Sequence, residues 1–263
     1  MIKKIKHILR YIKYFFSASH RRGFGIHSPF VFQFINNILL ADKIHEQKPI
    51  LFNALKKIKK DKRPILYLEK GAGSIHRKRG HKTTKQIKKH HCIKHKYGKV
   101  LNRIVYFYNI KNILELGTSI GVSTLYMSTV NPGILTDTID GNKTCIEYAN
   151  NLFKSYNLKN IETHYGDFNN LLPGLLNKKS YDLVFIDGNH TYESTMEYFN
   201  LLLEKSRQQS ILIFDDIHWS EGMEAAWHKI ISHPLCTVTI DIFQFGIVFL
   251  NPDLSKQHFI IRY

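Results

Sequence analysis

Five apolar segments in the second part of the chain each end in an acidic residue or a glycine turn. Carboxylates in such places can bind hydroxyl or amino groups, accept a proton or hold a divalent cation. Because parallel strands present their carboxyl ends at one edge of a sheet, the repeated pattern predicts a single binding edge. The acidic residues at these ends are Glu115, Asp140, Asp167, Asp187, Asp215 and Asp216.

The first of these ends carries the glycine turn E-x-G-T-x-x-G-x-S, at residues 115–123. A dinucleotide site needs three glycines, so that bare backbone can approach a pyrophosphate at a helix N-terminus. Here Ser119 stands in the place of the middle glycine, and the carboxylate of Glu115 would repel phosphate. The turn therefore predicts a ligand with a cationic or zwitterionic group and without a pyrophosphate.

The next two ends supply groups that suit a nucleoside. Asp140 ends the second segment about 20 residues after the glycine turn, where an acidic side chain typically binds ribose hydroxyls. Asp167 can offer a carboxylate to an exocyclic amine, and Phe168 can offer an aromatic face to a base. An adenosine that bears an amino acid meets all of these requirements.

The elements that must position these residues alternate between strand and helix patterns from Val100 onward. This alternation predicts an α/β fold with a Rossmann-like, doubly wound and mostly parallel sheet. After Pro234 come three apolar segments without intervening helices, which predict a C-terminal antiparallel hairpin. The predicted strands before it are 112–117, 133–140, 160–166, 181–187 and 210–216, and the predicted helices are 121–130, 143–156, 169–176, 191–206 and 220–232.

Taken jointly, these segments resemble the class I S-adenosylmethionine-dependent methyltransferases, most closely the branch of catechol-type and related small-molecule O-methyltransferases. The resemblance spans residues 98–250 approximately and implies the fold, the cofactor S-adenosylmethionine and the transfer of a methyl group. The motifs that carry it are "LELGTSIGVST", "TIDGN", "HYGDF", "YDLVFIDGNHTYE" and "LIFDDIHW".

The resemblance also implies roles for the cofactor residues. Glu115 and Gly117 are expected to face the methionine part of the cofactor. Asp140 is expected to hold the ribose. The remaining expected cofactor residues are Thr118, Gly121 and Ser123, which shape the loop, and Asp167 with Phe168, which hold the adenine.

Two routes to activating an acceptor follow from the fourth and fifth ends. In metal-dependent O-methyltransferases, carboxylates and amides at these ends hold a cation that acidifies the acceptor hydroxyl, and Asp187, Asp215 and Asp216 match those positions. Such oxygen ligands suit Mg²⁺, although Asp216 stands where an asparagine is common in the family. In the route without metal, His190 or His218 is the general base, because imidazole titrates near neutrality.

The sequence favours oxygen in a small or lipid-like acceptor, with nitrogen left open. After the fourth segment there is no N-P-P-Y or D-P-P-Y, the signature of exocyclic amine methylation in this superfamily. No cysteine lies in the loop directly after the fourth or fifth segment to act in cytosine C5 methylation. Two alternatives stay open: an RNA or DNA methyltransferase, and a non-catalytic membrane-surface module of the same fold.

The positive charge is concentrated in the first hundred residues, which hold 26 Lys and Arg against 4 Asp and Glu. We therefore predict a basic, mainly helical N-terminal extension at 1–97 that covers the substrate, followed by a methyltransferase domain at 98–263. Its possible partners are an anionic membrane surface and nucleic acid. The low-periodicity tract at 71–96 predicts a mobile segment.

Residues 2–16 have the spacing of a basic amphipathic helix. This helix could pack on the protein's own core, lie on an anionic membrane or pair with a partner. Three widely spaced cysteines predict no disulfide framework, and hence a cytoplasmic protein that is either free or peripheral at the membrane surface.

Overall fold

The computed structural model describes residues 2–42, 48–68, 79–205 and 209–263. The chain divides into two compact units, one made of residues 43–181 and the other of residues 1–42 together with 182–263. We call them the central unit and the terminal unit. The predicted extension at 1–97 is therefore shared between both units, and each is described by itself.

The central unit contains a parallel three-stranded arrangement with the order β3-β4-β5. Leu114 of β3 pairs with Asp137 of β4, and Asp137 pairs with Glu162 of β5. Four of the five residues of β3 are buried, as expected for a strand that is covered on both faces. The elements of this unit are α3 (Lys48–Lys60), β1 (Pro64–Leu68), β2 (Arg79–Thr83), α4 (Thr84–His90), α5 (His95–Phe107), β3 (Asn112–Leu116), α6 (Val122–Ser128), β4 (Leu135–Asp140), α7 (Lys143–Ser155), β5 (Ile161–Tyr165) and α8 (Phe168–Lys178).

Part of the tract predicted to be mobile is ordered. Strand β2 pairs antiparallel with β1, and Thr83 with Gln86 forms a capping box at the start of α4. The prediction of mobility is wrong for residues 79–96, because backbone pairing and capping satisfy polar groups that composition alone leaves unassigned. Residues 71–78 of that prediction lie outside the described residues.

The terminal unit contains strands in the order β6-β7-β9-β8-β10. Strands β6 and β7 are parallel, whereas β9 is antiparallel to both β7 and β8, which confirms the predicted hairpin. Strand β10 adds a parallel edge next to β8. The elements of this unit are α1 (Ile2–Ser17), α2 (Pro29–Phe34) with a π-helical turn (Ile35–Leu39), β6 (Leu183–Ile186), α9 (Tyr192–Lys205), β7 (Ile211–Asp215), α10 (Glu221–Ser232), β8 (Val238–Asp241), β9 (Phe245–Phe249) and β10 (Gln257–Ile260).

Helix α1 packs within the terminal unit through polar and aromatic side chains. The hydroxyl of Tyr14 donates to the carbonyl of Ile261, and the Tyr14 side chain is buried against Phe243. The Arg10 guanidinium lies 2.7 Å from Glu224. Over the described stretches, none of the helices has both the length and the apolar character needed to cross a bilayer.

Candidate active site

The glycine turn after β3 has a backbone that requires glycine at two positions. Gly117 has φ of 113° and Gly121 has φ of 82°, both in the region that side chains disfavour. A Cβ at residue 121 would lie 2.6 Å from the Phe153 ring. The turn is therefore held close to α7, and α6 begins directly after it.

Asp140 ties this turn to the end of β4. One carboxylate oxygen accepts a hydrogen bond of 2.7 Å from the backbone amide of Ser119, and the other accepts one of 2.7 Å from the amide of Asn142. Ser119 has φ of 47°, which points its amide toward the carboxylate at some backbone cost. The acidic residue and the glycine turn thus form one structural feature.

Three of the predicted loop residues support the turn from inside the protein. Glu115 is fully buried, and its Oε2 accepts hydrogen bonds from the hydroxyls of Thr124 and Thr138, the latter at 2.6 Å. Thr118 is also fully buried and shares a hydrogen bond of 2.6 Å with Thr138. Ser123 is 5% exposed in the first turn of α6.

The third strand end places its two predicted residues differently. Asp167 is exposed and caps α8, where its side chain accepts from the amide of Asn169. Phe168 is only 9% exposed. A base that stacks on an aromatic ring needs an accessible face, so the geometry favours Asp167 over Phe168 as an adenine contact.

Sequence reasoning missed Cys92, which lies beside the glycine turn. Its sulfur is 4.0 Å from the Ser119 hydroxyl. Nothing in its local sequence distinguishes Cys92, since the contact depends on the packing of the segment before α5 against the turn.

In the terminal unit, the loop after β6 brings Asp187 and His190 together. Nε2 of His190 lies 3.4 Å from Oδ1 of Asp187. Asn189 and His190 both have positive φ, at 61° and 39°, and the amide of Asn189 donates to the Tyr198 hydroxyl. Strained backbone that is held by such contacts often marks a functional site.

The loop after β7 adds two more carboxylates, which share one donor. The side-chain amide of Gln244 lies 2.6 Å from Oδ1 of Asp215 and 2.6 Å from Oδ1 of Asp216. Burial, together with the charges of Asp216 and Asp187, raises the pKa of Asp215 well above its usual value. Sequence reasoning missed Gln244, because the turn between β8 and β9 gave no sign that it reaches these carboxylates.

The two predicted histidine bases have different surroundings. Burial disfavours the charged form of His190, but the hydrogen bond to Asp187 and the charge of Asp216 outweigh it and raise its pKa. Nδ1 of His218 lies 3.0 Å from Glu224, its Nε2 lies 2.8 Å from Asp241, and its ring stacks on Phe243. Because both nitrogens of His218 are tightly engaged by carboxylates, the geometry favours His190 as the base.

Helix α1 contributes a third imidazole that the sequence did not indicate. The His7 ring lies 5.3 Å from Phe243 and 5.9 Å from Trp219, and its charge acts on Asp216 in the direction that lowers the Asp216 pKa. Its Nδ1 is buried and has no hydrogen-bond partner among the described residues. His7, Arg10 and Tyr14 are spaced three or four residues apart and therefore lie on one face of α1. This spacing could have indicated that the helix has a second face, beside its apolar one.

The donor set of Asp187, Asp215 and Asp216 suits a hard divalent cation, which would relieve the repulsion between their charges. The positions of these three carboxylates are less favourable for a metal site than their chemistry. In the described part of the chain, the one group of three such ligand side chains whose donor atoms all lie within 4.8 Å of one another is Asp137, Glu162 and His164. That group already pairs Asp137 with the Lys179 ammonium, so it is an ion-pair network.

Comparison with known proteins identifies the domain. Residues 114–217, which include the glycine turn, Asp140, Asp187 and Asp215, match the family profile described as a methyltransferase domain. None of the curated proteins compared matches the chain.

Solved structures of methyltransferases have the same fold. The O-methyltransferase TomG of Streptomyces achromogenes, crystallised with S-adenosylmethionine, is 20% identical, with 61% of this chain and 82% of TomG covered and a TM-score of 0.53. An O-methyltransferase of Bacillus cereus, bound to S-adenosylhomocysteine, is 18% identical, with 83% and 96% covered and a TM-score of 0.55. The Podospora anserina methyltransferase PaMTH1 is 16% identical, with 60% and 78% covered and a TM-score of 0.54.

The fold predicted from the sequence is therefore confirmed. The chain has the fold of these S-adenosylmethionine-dependent methyltransferases, and its residues 114–217 match a methyltransferase domain. Within this class, the structures it resembles include O-methyltransferases.

Proposed function

We propose that this enzyme transfers the methyl group of S-adenosylmethionine to an oxygen of a hydroxyl-bearing acceptor, either small or lipid-like. The observation that carries the choice of oxygen is the pairing of Asp187 with His190 after β6, at 3.4 Å. An acid–base pair of this kind removes the proton that a hydroxyl must lose when it is methylated. The O-methyltransferases among the similar structures support the same choice.

The central unit holds the methyl donor in this proposal. Asp140 binds the ribose hydroxyls at the end of β4, where it also fixes the glycine turn through Ser119. Gly117 and Gly121 let the backbone of the turn approach the methionine part of the cofactor. The carboxylate of Glu115 places a negative charge beneath the turn. Asp167 and Phe168 remain the proposed contacts of the adenine, of which Asp167 is the more accessible.

The terminal unit acts on the acceptor. At 3.4 Å the hydrogen bond between His190 and Asp187 is long and therefore weak, so an acceptor hydroxyl can replace it. The hydroxyl proton passes to this pair as the oxygen attacks the methyl carbon. The new O–CH₃ bond forms while the S–CH₃ bond breaks, and the sulfur keeps the electron pair as S-adenosylhomocysteine.

A metal is the second way to activate the same hydroxyl. Asp187, Asp215 and Asp216 would hold Mg²⁺, and the ion would acidify a hydroxyl bound to it. Without the ion, Gln244 is the residue that holds the last two carboxylates together.

Calorimetry with S-adenosylhomocysteine tests the proposed donor site. We expect Asp140→Ala to weaken binding about ten-fold or more, because two ribose hydrogen bonds to a charged group are lost. Asp253→Ala removes an exposed aspartate elsewhere and should bind like the wild type. Unchanged affinity in Asp140→Ala would mean that the donor site is assigned wrongly.

A panel of phenols, catechols, long-chain alcohols and amines, assayed by mass spectrometry of the products, tests the acceptor. On a hydroxyl acceptor, His190→Gln should lower kcat about 10²- to 10⁴-fold, while the exposed control His228→Gln should not. Loss of turnover in EDTA, with recovery in Mg²⁺, would assign the metal route, whereas full activity in EDTA would exclude it. Methylation of amines or nucleic acid alone would refute the choice of oxygen, and a protein without donor binding would be the non-catalytic module.

A further inference from the structure

Helix α1 leaves an apolar stripe exposed to solvent. Ile5, Ile8, Leu9, Ile12 and Phe16 are exposed by 50%, 57%, 58%, 44% and 80%. Their spacing places them on one side of the helix along about three turns. An exposed apolar stripe of this length is unusual for a surface helix, whose apolar side normally faces the core.

The opposite side of the helix is the one that the terminal unit holds. Tyr14 is buried there, Arg10 pairs with Glu224, and Lys6 lies 2.9 Å from Glu221. Turning the apolar stripe inward would break these contacts. The stripe is therefore presented outward by the packing of the unit itself.

The charges around the stripe indicate which kind of partner it would bind. Exposed Lys13 lies beside the stripe on the helix surface, and within the described chain its ammonium makes no ion pair. Arg21 and Arg22, also exposed, come four and five residues after the last residue of the helix, and Phe24 after them is 69% exposed. Residues 1–42 contain a single acidic residue, Asp42. Apolar side chains flanked by cations are the pattern of helices that lie in the interface of an anionic bilayer.

We propose that α1 docks this enzyme on an anionic membrane surface. The helix lies parallel to the surface, with its stripe at the boundary of headgroups and acyl chains, and Lys13, Arg21 and Arg22 contact lipid phosphates. A second copy of the chain is a poorer occupant, because two chains with a net charge of +17 each would bring like charges together. The proposal does not depend on the identity of the methyl acceptor.

Flotation with vesicles tests this proposal on the full-length protein. Vesicles of phosphatidylcholine with phosphatidylglycerol should bind the wild type, and vesicles of phosphatidylcholine alone should bind it much less. The double variant Ile8→Glu with Ile12→Glu should lose at least about ten-fold in partitioning, because two apolar side chains no longer leave water. Leu235→Glu makes the same change at a side chain of the same unit that is 55% exposed, and should bind like the wild type.

Three further measurements test whether α1 binds the vesicles. Phe16→Trp, at the most exposed position of the stripe, should show a blue shift of its fluorescence when the anionic vesicles are added. Lys13→Glu should weaken binding at low salt, and the wild type should dissociate as salt rises. Wild-type protein that stays free of anionic vesicles, equal loss in Leu235→Glu, or a lipid-free dimer that the double variant dissociates would each overturn the proposal.

Discussion

Asp137 is a carboxylate of the central unit that is engaged by three other side chains. It is 2% exposed on β4, lies 2.8 Å from Nε2 of His164, and accepts from the Tyr181 hydroxyl at 2.9 Å and from the Lys179 ammonium. Burial alone would raise its pKa, but the hydrogen bonds from His164, Lys179 and Tyr181 outweigh burial and lower it. Asp137 is thus a structural residue, distinct from the strand-end carboxylates.

Replacing Asp137 with Asn should destabilise the protein by about 3 kcal/mol at pH 7, because Lys179 and His164 lose a buried partner. A lowered folded pKa means that this contribution is complete above the unfolded pKa of about 3.9 and is lost as pH falls through the folded value. The difference in urea unfolding between variant and wild type should therefore shrink below about pH 4. Asp253→Asn is the control, and equal stability of both variants at pH 7 would contradict the assignment.

At the scale of elements, the start of α6 depends on the turn before it. Gly121 is the N-cap of this helix and has the positive φ that lets the chain enter it beside Phe153. The helix is short, so the turn and the helix are stable only together. The glycine turn is therefore also needed for the packing of α6.

Gly121→Ala should lower stability by about 1–3 kcal/mol and weaken donor binding, since its Cβ would be strained and would meet Phe153. Gly174→Ala in α8 is a matched control, because its Cβ has nothing within 4 Å and alanine favours a helix. The control should gain about 0.5–1 kcal/mol. Thermal unfolding and calorimetry measure both, and a Gly121→Ala protein as stable as Gly174→Ala would show that the turn tolerates a side chain.

At the scale of the whole molecule, binding of the methyl donor should raise the free energy of unfolding. A ligand at 100 times its Kd that binds only the folded state raises the free energy of unfolding by about 2.7 kcal/mol. We expect S-adenosylmethionine to raise the Tm of the wild type and to have much less effect on Asp140→Ala. Equal shifts in both proteins would indicate binding away from Asp140.

The order of elements from β3 to β9 could be predicted from the sequence. Each of the five strands ends where an apolar run meets an acidic residue or a glycine, and the helices between them match the predicted ranges within a few residues. Such signals are local, because burial on both faces requires continuous apolar residues. The hydrogen bond between Ser119 and Asp140 was not predicted and is seen only in the structure.

Contacts between distant segments could not be predicted in this way. Lys6 and Glu221 are 215 residues apart, and Arg10 and Glu224 are 214 apart. Gln244 reaches Asp215 across 29 residues, from a turn that carries no sequence signal. Periodicity reveals which face of an element is apolar, and it does not reveal which face a distant partner covers.

The sequence by itself determined the α/β class, the order of the elements and the acidic strand ends, because these depend on burial patterns within a few residues. Only the tertiary structure decided that His218 has both nitrogens engaged, that His7 lies beside Phe243, and that α1 keeps its apolar stripe outward. These features depend on which side chains meet after the chain has folded back on itself. Each segment is compatible with several arrangements of its side chains, and contacts between residues far apart in sequence determine which of them forms.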